Sequence, residues 1–329
     1  MSRRASPEAI VSALDLLGRG RTVRDVAEET GFAQRTIREW RKKAKPVIPT
    51  SHWQPPSNDE PEKIRISVSN RPNPGGRKLR GVAVGDLHDS PHIADKSRFY
   101  RIGRYIEEKK PDFVIKIGDV LSLDSLCRYD DNASLAGKSK PSFEQDIASG
   151  HKALNAYDEG KRGYEPSIEH ITLGNHEDRA ISFTNRTPEV AGILTGQLAN
   201  LFTSHGFSFS PYGQVYHIDE VGFVHVPLNR LGKPYGGKTA KNTIANDAIC
   251  DIVYGHDHLG GQVVAPKIGT NESITVLNLG CALPDGHVEK YVGHGMSGWQ
   301  YGIYDLLIDR GRLHSAKHIS MRELDEWYA

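Results

Sequence analysis

Five apolar runs of strand length stop in the same way. Residues 82–84 lead into Gly85-Asp86-Leu87-His88, residues 113–117 into Gly118-Asp119, and residues 171–173 into Gly174-Asn175-His176-Glu177. Residues 221–224 lead into His225, and residues 252–254 into Gly255-His256-Asp257-His258. A short continuous apolar run bounded by glycine is the pattern of a strand buried on both faces. Between the first two runs, Phe99, Ile102 and Ile106 recur at helical spacing. A polar insertion over 128–142 and a helix over about 143–157 separate the second run from the third. A further helix is expected over 188–205, with Val190, Leu194, Leu198 and Leu201 along it. Beyond Gly206, short strands are expected over 214–218, 223–226, 252–254, 273–279, 302–308 and 313–319. Strands alternating with helices, then paired strands, predict an α/β chain whose two sheets pack together with helices outside.

Ahead of these strands, residues 7–44 read as helical. Pro7 suits a first turn, and Ile10, Leu14 and Leu17 make one apolar face before Gly18 and Gly20. Thr22 caps a second helix, with Asp25 as a partial capping box. Val23, Val26 and Ala27 are its buried side, and Gly31 breaks it. A third helix, about 33–44, sets Ile37, Trp40 and Ala44 on one face. Ala27, Gly31 and Ile37, spaced by four and six, resemble the helix-turn-helix. There the small residue allows a close helix crossing and the glycine takes the turn's positive φ. The resemblance implies that Gln34, Arg35 and Arg38 meet base edges in the major groove, and that Arg41, Lys42 and Lys43 meet phosphates. A plain three-helix cap or a protein-docking module is the alternative. Such modules often act as dimers, so a dimer is the expectation for assembly.

Charge sharpens the division. The 329-residue chain carries a net +1, yet residues 1–45 hold eleven Lys/Arg against six Asp/Glu, and the remainder 31 against 35. A segment of +5 joined to one of −4 marks two units with different tasks. Pro46, Pro49, Pro55, Pro56 and Pro61 favour an extended, semi-rigid linker over 46–62. Alternation over 64–69 predicts a strand and Asn73-Pro74-Gly75-Gly76 a turn, so the domains are set at 1–45 and 63–329. With 37% hydrophobic and 25% charged residues, the composition is globular, not disordered. No apolar run approaches the roughly 18 residues of a membrane span, and no apolar segment follows the basic N-terminus as a secretory signal would require. Cys127, Cys250 and Cys281, odd in number and far apart, make neither a disulfide framework nor a zinc site and read as core thiols. A cytoplasmic protein without a membrane role is the expectation.

Asp86, His88, Asp119, Asn175, His225, His256 and His258 are the candidate metal ligands. Singly, an Asp after a strand glycine is a turn former, and a lone His is a surface or satisfied core residue. Five occurrences in one context call for a common reason, and a metal centre at adjacent strand ends is the simplest. Carboxylate, amide and imidazole donors without thiolate suit Mn above all, and Fe, Zn, Ni or Co. Seven ligands are too many for one tetrahedral ion, whereas a carboxylate can bridge two ions about 3.5–4 Å apart.

The same stretches, in this order and over residues 79 to about 310, closely resemble the calcineurin-like metallophosphoesterase superfamily. The resemblance implies a four-layer αββα sandwich and a dinuclear metal centre. It implies that Asp86, His88 and His258 hold one divalent ion, that Asn175, His225 and His256 hold a second, and that Asp119 bridges. A bridging hydroxide would be the nucleophile. His176 would contact the phosphate and protonate or steady the leaving oxygen, and Arg179 would clamp a phosphate oxygen or make a surface salt bridge. Two departures stand out. His225 is followed by Val-Pro-Leu-Asn instead of the glycine of many members, which makes His217 the fallback. Gly118-Asp119-Val120 lacks the following Asp-Arg-Gly of the protein serine/threonine phosphatase branch. His287 and His294 lie in a Gly-rich stretch and read as loop residues.

Three functions follow. The first is a DNA-directed phosphodiesterase, a nuclease brought to DNA by the N-terminal module. The second is a phosphatase or phosphodiesterase for small or nucleotide substrates. The third is a DNA-binding regulator with an inert phosphoesterase fold, against which the full ligand set and His176 count. The domain pairing also looks like that of bacteriophage and mobile-element proteins, by analogy only.

Overall fold

Val82, Ala83 and Val84 are wholly buried because their strand, β1 (Leu79–Val84), lies inside a sheet. The structure is a computed structural model that describes residues 6–18, 21–43, 78–128, 135–288 and 298–329. The chain divides into two units between Ile66 and Ser67. The first contains α1 (Pro7–Gly18), α2 (Val23–Thr30) and α3 (Gln34–Lys43). Ala13, Val23, Val26 and Ile37 form its core, with Leu16, Leu17, Ala27, Phe32 and Trp40 packed against them. The packed face of α1 therefore centres on Ala13, with Leu16 and Leu17 beside it, a shift from the expected face through Ile10, Leu14 and Leu17, of which Leu17 is kept. Ala13, with nothing beyond Cβ, is fully buried, and the larger Ile10, Leu14, Leu16 and Leu17 around it are half-buried.

The capping box of α2 is complete. The Asp25 N–H donates to Thr22 Oγ1 at 3.1 Å, and the Thr22 N–H donates to Asp25 Oδ2 at 3.2 Å. Gly31, at φ +71°, ends α2 in the left-handed conformation. On α3, Gln34 and Arg35 are exposed; Arg35 reaches Glu39 at 3.6 Å, and Arg38 Nη2 donates to Gln34 Oε1 at 3.2 Å. The side chains of Arg41 and Lys42, the linker over 46–62, the strand over 64–69 and the turn over 73–76 lie outside the described residues. So do residues 129–134 of the polar insertion.

In the second unit, β1 is followed by α4 (Ser97–Lys109), β2 (Phe113–Lys116), α5 (Leu135–Lys138), α6 (Phe143–Lys161), β3 (Ile168–Thr172), α7 (Asp178–Thr184), α8 (Ile193–Ser204) and β4 (Ser208–Ser210). Next come β5 (Tyr216–Ile218), β6 (Val221–Phe223), α9 (Ala240–Asp247), β7 (Ile252–Tyr254), β8 (Gly261–Pro266) and β9 (Ser273–Asn278). The last elements are β10 (Gly302–Asp309), β11 (Arg312–Ser320) and α10 (Met321–Trp327). The unit is mixed α/β. One sheet has the order β11-β10-β1-β2-β3-β4, and the other β5-β6-β7-β9-β8. Strands β1 to β4 run parallel, as do β6, β7 and β9.

Alternation along β2 decides what each sheet face touches. Val114 joins Phe99, Ile106, Leu154, Leu201 and Leu324 from four helices. Phe113 and Ile115 point the other way, onto Phe223, Val253 and Leu277 of the second sheet. That sheet's opposite face, Val224, Ile252, Tyr254 and Val276, covers Ala240 and Ile244 of α9.

Several expected bounds shift for local reasons. The helix expected over 188–205 is a 3₁₀ turn at Pro188–Val190 and then α8, separated by Gly192 at φ +78°. Helix α6 outlasts the expected 157 and stops at Arg162 in the left-handed conformation. The strand expected over 214–218 starts at Tyr216. Helix α9 was not anticipated, because Ala240, Ile244 and Ala245 are its only buried residues and carry little periodic signal.

Lys116 ends β2 on the helix-covered face and is 1% exposed. Its Nζ has no hydrogen-bond partner and lies 3.7 Å from the Tyr157 ring centroid, 4.0 Å from that of Phe207 and 3.9 Å from Glu169 Oε1. Burial pulls its pKa down to about 7, against the opposing pull of Glu169. A basic group whose folded pKa is depressed carries its full cost below that pKa, and the cost is relieved as pH rises toward the unfolded value near 10.5. Lys116→Met is therefore expected to stabilise the protein by about 2–4 kcal/mol at pH 6–7, with the gain shrinking toward pH 10. Glu169 stays paired in the variant, with Lys161 at 2.8 Å and the Tyr157 hydroxyl at 2.5 Å. Urea melts at pH 6, 7.5 and 9.5 measure this, and an equal or lower stability at pH 6 contradicts it.

Candidate metal centre

All seven candidate ligands lie two to four residues past the C-terminal ends of β1, β2, β3, β6 and β7. Parallel strands bring these ends to a common edge, where ligand sites of open α/β sheets form. The loops are stitched together by backbone. The Leu87 and His88 N–H groups donate to the Asp119 carbonyl at 3.1 and 2.7 Å, and the Gly255 N–H to the His225 carbonyl at 2.9 Å. Four of the seven adopt the left-handed conformation: His88 at φ +44°, Asp119 at +42°, His256 at +76° and His258 at +59°. Each such residue stores roughly 1–3 kcal/mol of strain that its surroundings must hold. The glycines before the ligands have a second purpose. A Cβ on Gly174 would sit 2.0 Å from Asp119 Oδ1, and one on Gly255 would sit 2.4 Å from Asp86 Oδ1. These positions are bare because the carboxylates occupy the space.

The donor atoms converge in two overlapping groups. His258 Nε2 is 2.9 Å from Asp86 Oδ2 and 3.1 Å from His88 Nε2. His225 Nε2 is 2.9 Å from Asn175 Oδ1, 3.2 Å from His256 Nδ1 and 3.4 Å from Asp119 Oδ2. Asp119 Oδ2 also lies 3.8 Å from His88 Nε2 and so stands between the groups. His225 Nδ1 faces the Ile117 carbonyl at 2.9 Å. A carbonyl only accepts, so Nδ1 carries the proton and Nε2 is the nitrogen left to face a metal ion. His176 is held likewise: Nδ1 donates to the Ser122 carbonyl at 2.7 Å, and Nε2 accepts from Arg179 Nη2 at 3.1 Å. Arg179 has no carboxylate partner among the described residues, and its Nη1 donates to the Ser122 carbonyl at 2.8 Å.

The electrostatics call for added positive charge. Burial, with the Asp86 and Glu177 carboxylates nearby, pushes Asp119 up to about 7 against the pull of His225. Burial also raises Asp86, but His225, His258 and His256 outweigh it and leave that carboxyl below its usual range. Burial and neighbouring cations hold His88 and His176 well below the ordinary imidazole pKa, and His256 at about 4. For His225, burial is overcome by Asp119 and Asp86, which raise it. Neutral rings with free lone pairs beside crowded carboxylates can hold a metal ion. Among the described residues, three sets could do so: Asp86–His88–His258, His88–Asp119–His176 and Asp119–His225–His256. Oxygen and imidazole donors without thiolate match divalent ions of hard to borderline character.

The other candidates fall outside these sets. His217 lies on β5 with Nε2 4.0 Å from Cys250 Sγ. His287 is at a turn where its N–H bonds the Pro284 carbonyl, and His294 is outside the described residues. Three neighbours of the centre had no assigned part in the sequence. Glu177, 1% exposed, accepts from the N–H groups of Asp119, Leu121 and Gly174 at 2.9, 3.0 and 2.8 Å. Trp299 packs edge-on against His258, with ring centroids 4.3 Å apart, and Tyr212 lies 6.1 Å from His225. Glu177 had a signal, its place inside the third motif; Trp299 and Tyr212 had none.

No helix among the described residues is long and apolar enough to cross a membrane. Neither a protein-family model nor a curated protein matches the chain. Among solved structures, it is similar to "GAP50 the anchor in the inner membrane complex of Plasmodium", at 12% identity over 74% of this chain and 89% of that one. The TM-score of 0.25 is too low for that likeness to bear on fold or function.

Proposed function

We propose that this protein is a metal-dependent phosphoester hydrolase of the calcineurin-like type, a four-layer αββα sandwich directed to DNA as a phosphodiesterase. The convergence of imidazole and carboxylate donors in overlapping groups that share Asp119, with the Asn175 amide oxygen 2.9 Å from His225 Nε2, carries the proposal. Asp86, His88 and His258 would hold one divalent ion, Asn175, His225 and His256 a second, and Asp119 both, with Mn the first choice. When bound, such ions neutralise phosphate charge and make water acidic enough to attack near neutral pH.

The chain's own groups supply the rest. His176, neutral and donating from Nδ1 to Ser122, fixes the Arg179 guanidinium through Nε2. The remaining N–H groups of Arg179 would meet a phosphate oxygen and steady charge on the leaving oxygen. His176 thereby acts by positioning and hydrogen bonding, not as a standing acid. The helices α2 and α3, with Gln34 and Arg35 exposed past the Gly31 turn, support DNA as the target. The net −4 of residues 46–329 favours a second reading, a small or nucleotide phosphoester.

An assay series with Mn²⁺ separates these readings. The substrates are labelled single- and double-stranded DNA, bis(p-nitrophenyl) phosphate and p-nitrophenyl phosphate. DNA cleavage that is lost in His176→Ala and weakened by deleting residues 1–45 is the expected result. Turnover of the small esters alone moves the assignment to the second reading. No turnover with any metal, while DNA still binds, points to an inert regulator.

A further inference from the structure

Beside the Asn175 end of the centre lies a cleft of about 170 Å³, lined by Leu126, Arg128, Asn175, Arg179, Ser182 and Arg186. Three guanidinium groups line it, and among the described residues no carboxylate does. Arg179 is committed to the Ser122 carbonyl and to His176. Arg186, at the end of α7, gives its Nε–H to the Ser182 carbonyl at 3.0 Å. Neither Arg186 nor Arg128 has an acidic partner among the described residues. The Asp178 carboxylate on α7 faces the Ser182 hydroxyl, 3.4 Å away.

Like charges gathered with no acidic partner among the described residues repel one another and favour a bound anion. Arginine's planar fork matches phosphate oxygens two at a time. Asn175 belongs to both places: its Oδ1 touches His225 in the centre, and its side wall forms part of the cleft. A substrate seated at the centre can therefore reach the arginines without a gap between them. Leu126 adds an apolar wall against which a nucleoside sugar can rest.

We propose that this cleft is a second phosphate subsite, so that the preferred substrate carries another phosphate next to the scissile one. The inference rests on the phosphoesterase reading of the centre and names its substrate class. Two sources share this chemistry, the next phosphate of a nucleic-acid strand and the second phosphate of a nucleoside diphosphate.

Binding is measured first, by calorimetry in EDTA, so that turnover plays no part. The ligands are thymidylyl-thymidine, its 5′-phosphorylated form, thymidine monophosphate and thymidine diphosphate. The added phosphate is expected to tighten binding about tenfold, the worth of one charge-assisted hydrogen bond. In Arg128→Gln/Arg186→Gln, shown folded by circular dichroism, that gain is expected to fall to within about twofold. A gain for the phosphorylated dinucleotide alone identifies a strand, and an equal or larger gain for the diphosphate identifies a nucleotide. With Mn²⁺, the ratio of kcat/KM between phosphorylated and unphosphorylated dinucleotide is expected to drop in the double variant. No gain from the added phosphate, or a gain kept in the double variant, overturns the subsite and leaves the hydrolase assignment standing. Phosphate-dependent binding without hydrolysis under any metal keeps the subsite and overturns the hydrolase assignment.

Discussion

Asp119→Asn is expected to lower phosphoester turnover ~1,000-fold or more, about 4 kcal/mol of barrier. The substitution is nearly isosteric, which makes it informative. Asp119 Oδ1 accepts the His176 N–H at 2.8 Å, and an asparagine oxygen can do the same. The loop geometry after β3 should therefore survive. What changes is Oδ2, the atom between His88 Nε2 and His225 Nε2. In the variant that position presents an N–H₂ group, a donor aimed where both metal groups need an acceptor. One negative charge also leaves a site whose other ligands, apart from Asp86, are uncharged in their metal-binding form.

Metal binding reports this separately from catalysis. An ion that binds only the folded state raises its stability by RT ln(1 + [L]/Kd), about 2.7 kcal/mol at a hundredfold excess over Kd. Thermal melts of the wild type should shift upward with Mn²⁺ and reverse with a chelator. Asp119→Asn should melt within a few degrees of the metal-free wild type and shift little on adding Mn²⁺. Full metal uptake with full activity in the variant would remove Asp119 from the centre.

Much of the site was visible in the sequence because its chemistry is periodic. Each candidate ligand follows an apolar run, and the parallel strands of each sheet carry such residues to one end of that sheet. What stayed hidden depends on relations across the chain. Nothing local shows that Gly174 is bare to make room for Asp119, 55 positions earlier, or that Gly255 is bare for Asp86. The left-handed backbone of His88, Asp119, His256 and His258 is likewise imposed by neighbouring loops, since none of these residue types demands it. Trp299 reaches His258 from a separate stretch, with no pattern to announce it. The fold was legible in the same uneven way. Helix α4, whose Phe99, Ile102 and Ile106 are buried as spaced, showed itself, while α9, packed on the second sheet by two alanines and an isoleucine, did not. For α1 the spacing found the right side but not its centre, because apolar periodicity does not say that the small Ala13 marks the contact.

Glu177 is the sharpest case of a hidden part, and its loss should be the most damaging to folding. An acid at a helix start reads as an ordinary complement to the helix dipole, and Glu177 does stand at the N-terminus of α7. Its carboxylate turns inward instead. Oε2 accepts from the N–H groups of Asp119 and Gly174, and Oε1 from that of Leu121. One buried side chain thus ties the loop carrying Asp119 to the loop carrying Asn175. Glu177→Ala leaves three buried N–H groups without an acceptor, and a loss of about 3–5 kcal/mol is expected. Glu177→Gln keeps one acceptor oxygen and should recover part of that loss. If the role were only to fill space, Glu177→Leu would do as well as Gln. Urea unfolding of the three variants ranks them, and the expected order is Gln above Leu and Ala. Because the tie also sets the spacing of Asp119 and Asn175, metal affinity should fall 10–100-fold in Glu177→Gln even where the protein remains folded. Wild-type stability in Glu177→Ala would mean that the two loops are held by their own backbone ladder, and that Glu177 is a passenger in the core.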